Sequence, residues 1–150
     1  MIAIGFDWLG IPRTDRALQR LSSGVGALKP LWRDFEDEFH AEEISLFAKA
    51  PWQPLTPAYA ERKRKRYGGK PLLRASDDLF KSLTTSAAAG SIRRMEDLSA
   101  EFGSGDPKAA FHRSGTATMP SRDPLAKPEK VRYHTIAGAY LDLILQRAGF

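Results

Sequence analysis

An α+β fold is the class this sequence predicts, and three observations predict it. An apolar seam at helical spacing runs from Leu18 to Phe39. Two short, small-residue stretches lie between Thr84 and Gly103. A second amphipathic stretch closes the chain from Tyr133 to Ala148. Helical and strand-like runs are therefore segregated, which favours a small antiparallel sheet with helices on one face.

The elements follow in order. Residues 2–8 are an apolar run ended by Gly10-Ile11-Pro12, the pattern of a buried strand and a turn. Leu18, Leu21, Val25, Leu28, Trp32, Phe35 and Phe39 are spaced alternately three and four apart. That spacing keeps them on one helical face. Thr14 suits the N-cap. A long helix over 14–48 is expected, kinked or broken at Pro30, which lacks an N–H. Pro51, Pro54 and Pro57 then impose an extended loop. Thr56-Pro57 starts a further helix that ends at Gly68-Gly69. Ser76-Asp77-Asp78 opens a short helix carrying Leu79, Phe80 and Leu83. Thr84–Arg93 and Met95–Gly103 read as two adjacent antiparallel strands. Lys108–Arg113 is compatible with one helical turn, and 114–128 is a loop with prolines at 120, 124 and 128. The last helix carries Tyr133, Ala137, Tyr140, Leu141, Ile144 and Ala148 on one face.

Composition bounds what such a chain can do. Its 150 residues fit one domain over 1–150. At 42% hydrophobic and 27% charged residues, wholesale disorder is excluded. There is no cysteine, which removes disulfides, thiol catalysis and cysteine zinc sites. No apolar run is long enough to span a bilayer. The opening apolar run has no basic lead-in and is interrupted by Asp7, so it reads as a strand rather than a signal peptide. Folding in the cytoplasm is the corresponding expectation.

Charge is unevenly placed. Asp34, Glu36, Asp37, Glu38, Glu42 and Glu43 fall within ten residues that contain no Lys or Arg. Arg62, Lys63, Arg64, Lys65 and Arg66 are consecutive, and Lys70 and Arg74 follow. Five consecutive helical residues turn through more than a full circle, so no single core-facing stripe can hide them. Three occupants fit the basic block: water, phosphate, or an acidic protein surface. The acidic face of a second copy is one such surface, and head-to-tail contacts of this kind close into rings. The same two blocks could equally pair within one subunit.

Catalytic patterns are scarce. The histidines are His40, His112 and His134, with no HExxH, and no serine stands in GxSxG. Gly68-Gly69-Lys70-Pro71 lacks the spacing and the Ser/Thr of a phosphate-binding loop. Glu36, Asp37, His40 and Glu43 sit at helical spacing that could converge on a metal, yet a solvated acidic face carrying one histidine accounts for them without a ligand. His112 reads as a hydrogen-bonded structural histidine. No catalytic residue, metal ligand or cofactor is assigned.

Four segments, taken in chain order, carry a wider likeness. They are the helix to Phe47 with Pro51-Trp52-Gln53-Pro54-Leu55, Tyr59 and Lys63; Leu72-Leu73-Arg74 with Leu79 and Ser82-Leu83; Glu101-Phe102-Gly103 with Ala109, His112 and Gly115; and Met119-Pro120-Ser121-Arg122-Asp123-Pro124-Leu125. Together, over residues 14–145, they resemble the phage virion morphogenesis family, the small tail-completion proteins of Mu-like and P2-like phages. The resemblance implies a structural protein without enzyme activity that completes the tail or joins head to tail. It implies a homo-oligomeric ring, commonly sixfold, around the DNA channel of the virion neck. Portal or connector and tail-tube proteins would be its partners, with non-specific contact to DNA and none to membrane, after assembly in the host cytoplasm. Interface residues are then expected at Trp52, Arg62, Lys63, Arg64, Lys65 and Arg66, and in the long loop at Met119, Pro120, Arg122 and Pro124. The acidic residues above would supply the complementary face. A Trp such as Trp52 is more often a core anchor, and aromatic loop residues are also favoured interface anchors. The competing reading is a small basic nucleic-acid-binding module built on the Arg62–Arg66 helix.

Overall fold

The computed structural model describes residues 1–7 and 28–147. The strands are β1 (Ile2–Asp7), β2 (Ser91–Met95) and β3 (Ser99–Ser104), and the helices are α1 (Lys29–Lys49), α2 (Pro57–Tyr67), α3 (Asp78–Thr84), α4 (Pro107–Ser114) and α5 (Lys130–Arg147). The architecture is α+β with a three-stranded antiparallel sheet, ordered β1-β3-β2. None of the described helices is long and apolar enough to cross a membrane.

The seam from Leu28 to Phe39 is the buried face of α1, where Leu28, Leu31, Trp32, Phe35 and Phe39 are all buried. Phe39 stacks on Phe102 of β3 at 5.9 Å between ring centroids, so the helix lies on the sheet. The helix does not run through Pro30 as a kinked rod. It begins at Lys29 with Pro30 in its first turn, a position whose N–H has no helical partner in any case. The upstream half of the expected helix, with Thr14, Leu18, Leu21 and Val25, lies outside the described residues. The start of α1 is tied to the β2–β3 turn. Leu28 N donates to Asp97 O at 3.1 Å, and Trp32 Nε1 donates to Glu96 O at 2.9 Å.

Two further expectations change. The strand anticipated over Thr84–Arg93 is confined to Ser91–Met95. Thr84 closes α3, its Oγ1 donating to Phe80 O, and residues 85–90 form a turn in which Gly90 has φ +81°. The alternation of small residues there reflects turn chemistry rather than a pleat. The last helix packs chiefly on α1 rather than on the sheet, through Phe35 and Tyr133 at 5.0 Å, edge to face. Tyr133, Ala137 and Ile144 are its buried positions. By contrast, α2 and the 114–128 loop fall where the sequence puts them. Asp106 caps α4 through Lys108 N, which extends the anticipated single turn to eight residues.

The central strand depends on one glycine. Gly103 pairs with Ala3 across the β1–β3 ladder. A Cβ at Gly103 would overlap the backbone of Ile2 and Ala3. Gly103→Ala is therefore expected to lower stability by about 1–3 kcal/mol. Chemical denaturation checks this, with raised amide exchange in residues 2–7 as the local signature.

Candidate functional site

Helix α2 stands at the edge of the fold and contributes no buried residue. Thr56 and Pro57 start it, and Gly68, with φ +70°, ends it. Its cations find few anions. Glu61 pairs with Arg64 at 3.2 Å and Lys65 at 3.4 Å. Lys63 Nζ donates to the carbonyls of Lys70 and Pro71, and burial lowers its pKa. Arg62 and Arg66 lie over the rings of Tyr59 and Tyr67, at 5.7 and 5.3 Å from the centroids.

Facing α2 is the segment after α4. Gly115, with φ +71°, caps α4, and a Cβ there would come within 2.9 Å of Met119 O and Ser121 N. Thr116 and Met119 then form a bridge, and Arg122 N donates to His112 O at 2.7 Å. The 114–122 segment is thus folded back on α4. Between it and α2 lies a groove of about 670 Å³. Leu55, Leu72 and Tyr59 contribute apolar surface, while Arg62, Lys63 and Lys108 bring positive charge and Thr116 and Thr118 bring hydroxyls. Leu73 and Asp77, both lining the groove, hold the left-handed conformation at φ +60° and +63°. For non-glycine residues that is strained backbone. Asp77 is held by Arg74 Nε at 2.7 Å and Lys70 Nζ at 2.9 Å, whose hydrogen bonds lower its pKa.

Several expected site residues have internal roles. Arg122 is buried, donating from Nε to Gln53 O at 2.8 Å and from a terminal nitrogen to Pro54 O at 3.2 Å. Trp52 packs edge to face on Phe47 at 5.2 Å, and its Nε1 donates to Asp123 O at 2.7 Å. Pro124 is fully buried. These three fasten the two proline-rich loops to each other. Met119 and Pro120 line the groove, as do Arg62 and Lys63, whereas Arg64, Lys65 and Arg66 do not. Leu72-Leu73, Ser76-Asp77-Asp78 and Lys108 stand in the sequence as a turn and two helix starts, with no signal that they line one groove.

The acidic block divides in the same way. Glu36 is buried and accepts two hydrogen bonds from Arg93 Nε, at 2.7 and 2.9 Å. Glu38 accepts from Arg132 at 2.8 Å. Glu42 accepts from Glu129 N and Tyr133 OH, both at 2.8 Å. Glu43 Oε1 accepts from Ala126 N at 2.8 Å, and its Oε2 is buried without a partner. Only Asp34 and Asp37 remain exposed. Among the described residues no ion pair joins α1 to α2, so the two charge blocks do not pair within the subunit. His40 packs beside Phe39, and burial lowers its pKa. His112 lines the groove with its Nδ1 buried and unpartnered, its pKa lowered by burial and then by Arg122. Among the described residues, no three His, Asp or Glu side chains are grouped to hold a metal ion.

A family model described as the phage virion morphogenesis family matches residues 11–141. The chain belongs to the phage virion morphogenesis family. Membership makes it a phage structural or assembly protein associated with the virion. No curated protein and no solved structure matches it. In this morphogenesis protein the match spans α1 through most of α5 and so includes both walls of the groove.

Two expected outcomes test how the groove is held. Arg122→Met should cost about 1–3 kcal/mol, since it removes the buried guanidinium that bonds the Gln53 and Pro54 carbonyls. Arg122→Lys should recover only part of that, because an ammonium cannot span both carbonyls as the planar fork does. Denaturation midpoints read both. The Glu43 carboxyl is pushed up to about 8, first by burial, against the lowering effect of Ala126 N–H, with Glu42 and Asp123 adding repulsion. An unfolded Glu loses its proton near 4.5. Folding therefore retains a proton that the unfolded chain releases. This contribution is fully present below pH 4.5, falls as pH rises toward 8, and is flat above that. Glu43→Gln should flatten the decline by about 2 kcal/mol or more between pH 5 and 8. Stability measured across that range for both proteins checks it.

Proposed function

We propose that this protein completes the phage tail or joins head to tail, assembling as a homo-oligomeric ring around the DNA channel in the neck. The observation that carries the reading, beyond family membership, is the unequal use of charge. The α2 cations are spent on neither the core nor α1, while Asp34 and Asp37 on α1 are left exposed. A subunit with unsatisfied charges of opposite sign on two different helices is suited to heterologous contacts, and such contacts generate rings when the rotation closes. The strained groove lining and the proline-rich loops, locked by Arg122 and Trp52, give a rigid surface that loses little entropy on docking. A ring lumen bearing cations also suits the passage of DNA. Portal or connector proteins on one side and tail-tube proteins on the other are the partners of this reading.

The test is particle-based. The chain should be found in purified virions, and its deletion should leave unjoined heads and tails in electron micrographs. Absence from virions would sink the proposal. Reversing charge at Arg62, Arg64 and Arg66 should block joining while circular dichroism stays native.

One observation favours a second reading. Arg64, Lys65 and Arg66 are exposed and lie outside the groove, which leaves a cationic helix face for phosphate. As a nucleic-acid-binding module the protein should bind free duplex tightly, with affinity falling steeply with salt. Weak binding that survives the triple reversal argues for the ring instead.

A further inference from the structure

We propose that the groove between α2 and the 114–122 segment receives the solvent-facing stripe of α1 from a second copy of this chain. The inference rests on the ring reading and names the two surfaces that would meet.

The stripe is Asp34, Asp37, Ala41, Ile44 and Ala48, spaced alternately three and four apart and all exposed. Ile44 is 49% exposed, an unusual cost for a large aliphatic side chain in the middle of a helix whose opposite face builds the core. The stripe is about 21 Å long at helical rise. It is anionic at its N-terminal end and apolar toward its C-terminal end. The groove offers the matching surface, with Leu55, Leu72 and the exposed Tyr59 for the apolar part and Arg62 for the carboxylates.

Charge accounting selects this pairing. Among the described residues, Asp34 and Asp37 form no ion pair, and Arg62 pairs with no carboxylate. The other α1 carboxylates are engaged by Arg93, Arg132, Tyr133 and two backbone N–H groups, and so are not available to a neighbour. The contact is heterologous, because groove and stripe are different surfaces of the same chain. Each copy thus presents one plug and one socket, the condition for a closed ring without a second component. The outer face of α5, with Val131 and Leu143 exposed, is another apolar candidate, but at its Val131 end Arg132 is already paired with Glu38 and Glu129, which leaves no free charge to select a partner.

The chain has no cysteine, which gives a clean background for cross-linking. Ile44→Cys and Thr118→Cys are made separately in the full chain, checked by circular dichroism, and mixed under mild oxidation. The mixed pair should form a disulfide-linked dimer about tenfold faster than either variant alone. Asp37→Arg on the first chain, or Arg62→Glu on the second, should remove most of that advantage, and combining the two should restore it. A mixed rate no higher than the single-variant rates overturns the proposal. So does indifference to charge reversal, or faster coupling of Thr118→Cys to Val131→Cys. Virions that contain the protein without this cross-linking pattern would leave the ring reading standing and remove these surfaces. The pattern in a protein absent from virions would do the opposite.

Discussion

Helix α1 buries carboxylates along the same side as its aromatic seam, and the rest of the molecule is arranged to satisfy them. A buried carboxylate without partners is costly, so each one recruits a donor. Glu36 recruits Arg93 and so binds β2. Glu42 and Glu43 recruit the N–H groups of Glu129 and Ala126, and so fix the path into α5. Glu43 meets the demand only in part, with one oxygen on Ala126 and the other unpartnered, and holds its proton instead. A buried ion pair such as Glu36–Arg93 contributes modestly to net stability but is expensive to break singly. The effect here is positional.

From that anchored segment the chain runs back through Pro124 and Arg122 to the groove. Arg122 and Trp52 cross-link the two proline-rich loops through backbone carbonyls. The wall formed by Met119 and Pro120 therefore inherits its position from α1. Opposite it, α2 buries no residue and Lys63 bonds it to the following Lys70–Pro71 turn, which leaves its remaining cations to Glu61, solvent or a partner. Tied to the core on one side and lightly attached on the other, the groove is open to solvent rather than enclosed. That character agrees with a morphogenesis protein.

Much of the fold was legible in the sequence because local patterns carried it. The seam from Leu28 to Phe39, the Thr56-Pro57 helix start, the Gly68 stop and the loop 114–128 each follow from side-chain periodicity or from proline and glycine stereochemistry. The strand boundary at Ser91 was not legible. Small residues alternate in turns as readily as in strands, and the competing bond from Thr84 back to Phe80 is a helical one. The charge blocks were visible as charge, but not as structure.

Sequence alone determined the family, the α+β class and the presence of two opposed charge blocks. Those properties reside in residue order, spacing and composition, which no tertiary contact alters. Only the folded structure decided that Glu36, Glu42 and Glu43 turn inward while Asp34 and Asp37 face out. Only it decided that Arg122 ties the two proline-rich loops together from a buried position. The inward turn of these carboxylates depends on which way a helix is rotated against partners 57 to 91 residues distant in the chain. A carboxylate at a given position looks the same in sequence whether its partner is water, a guanidinium or a backbone N–H.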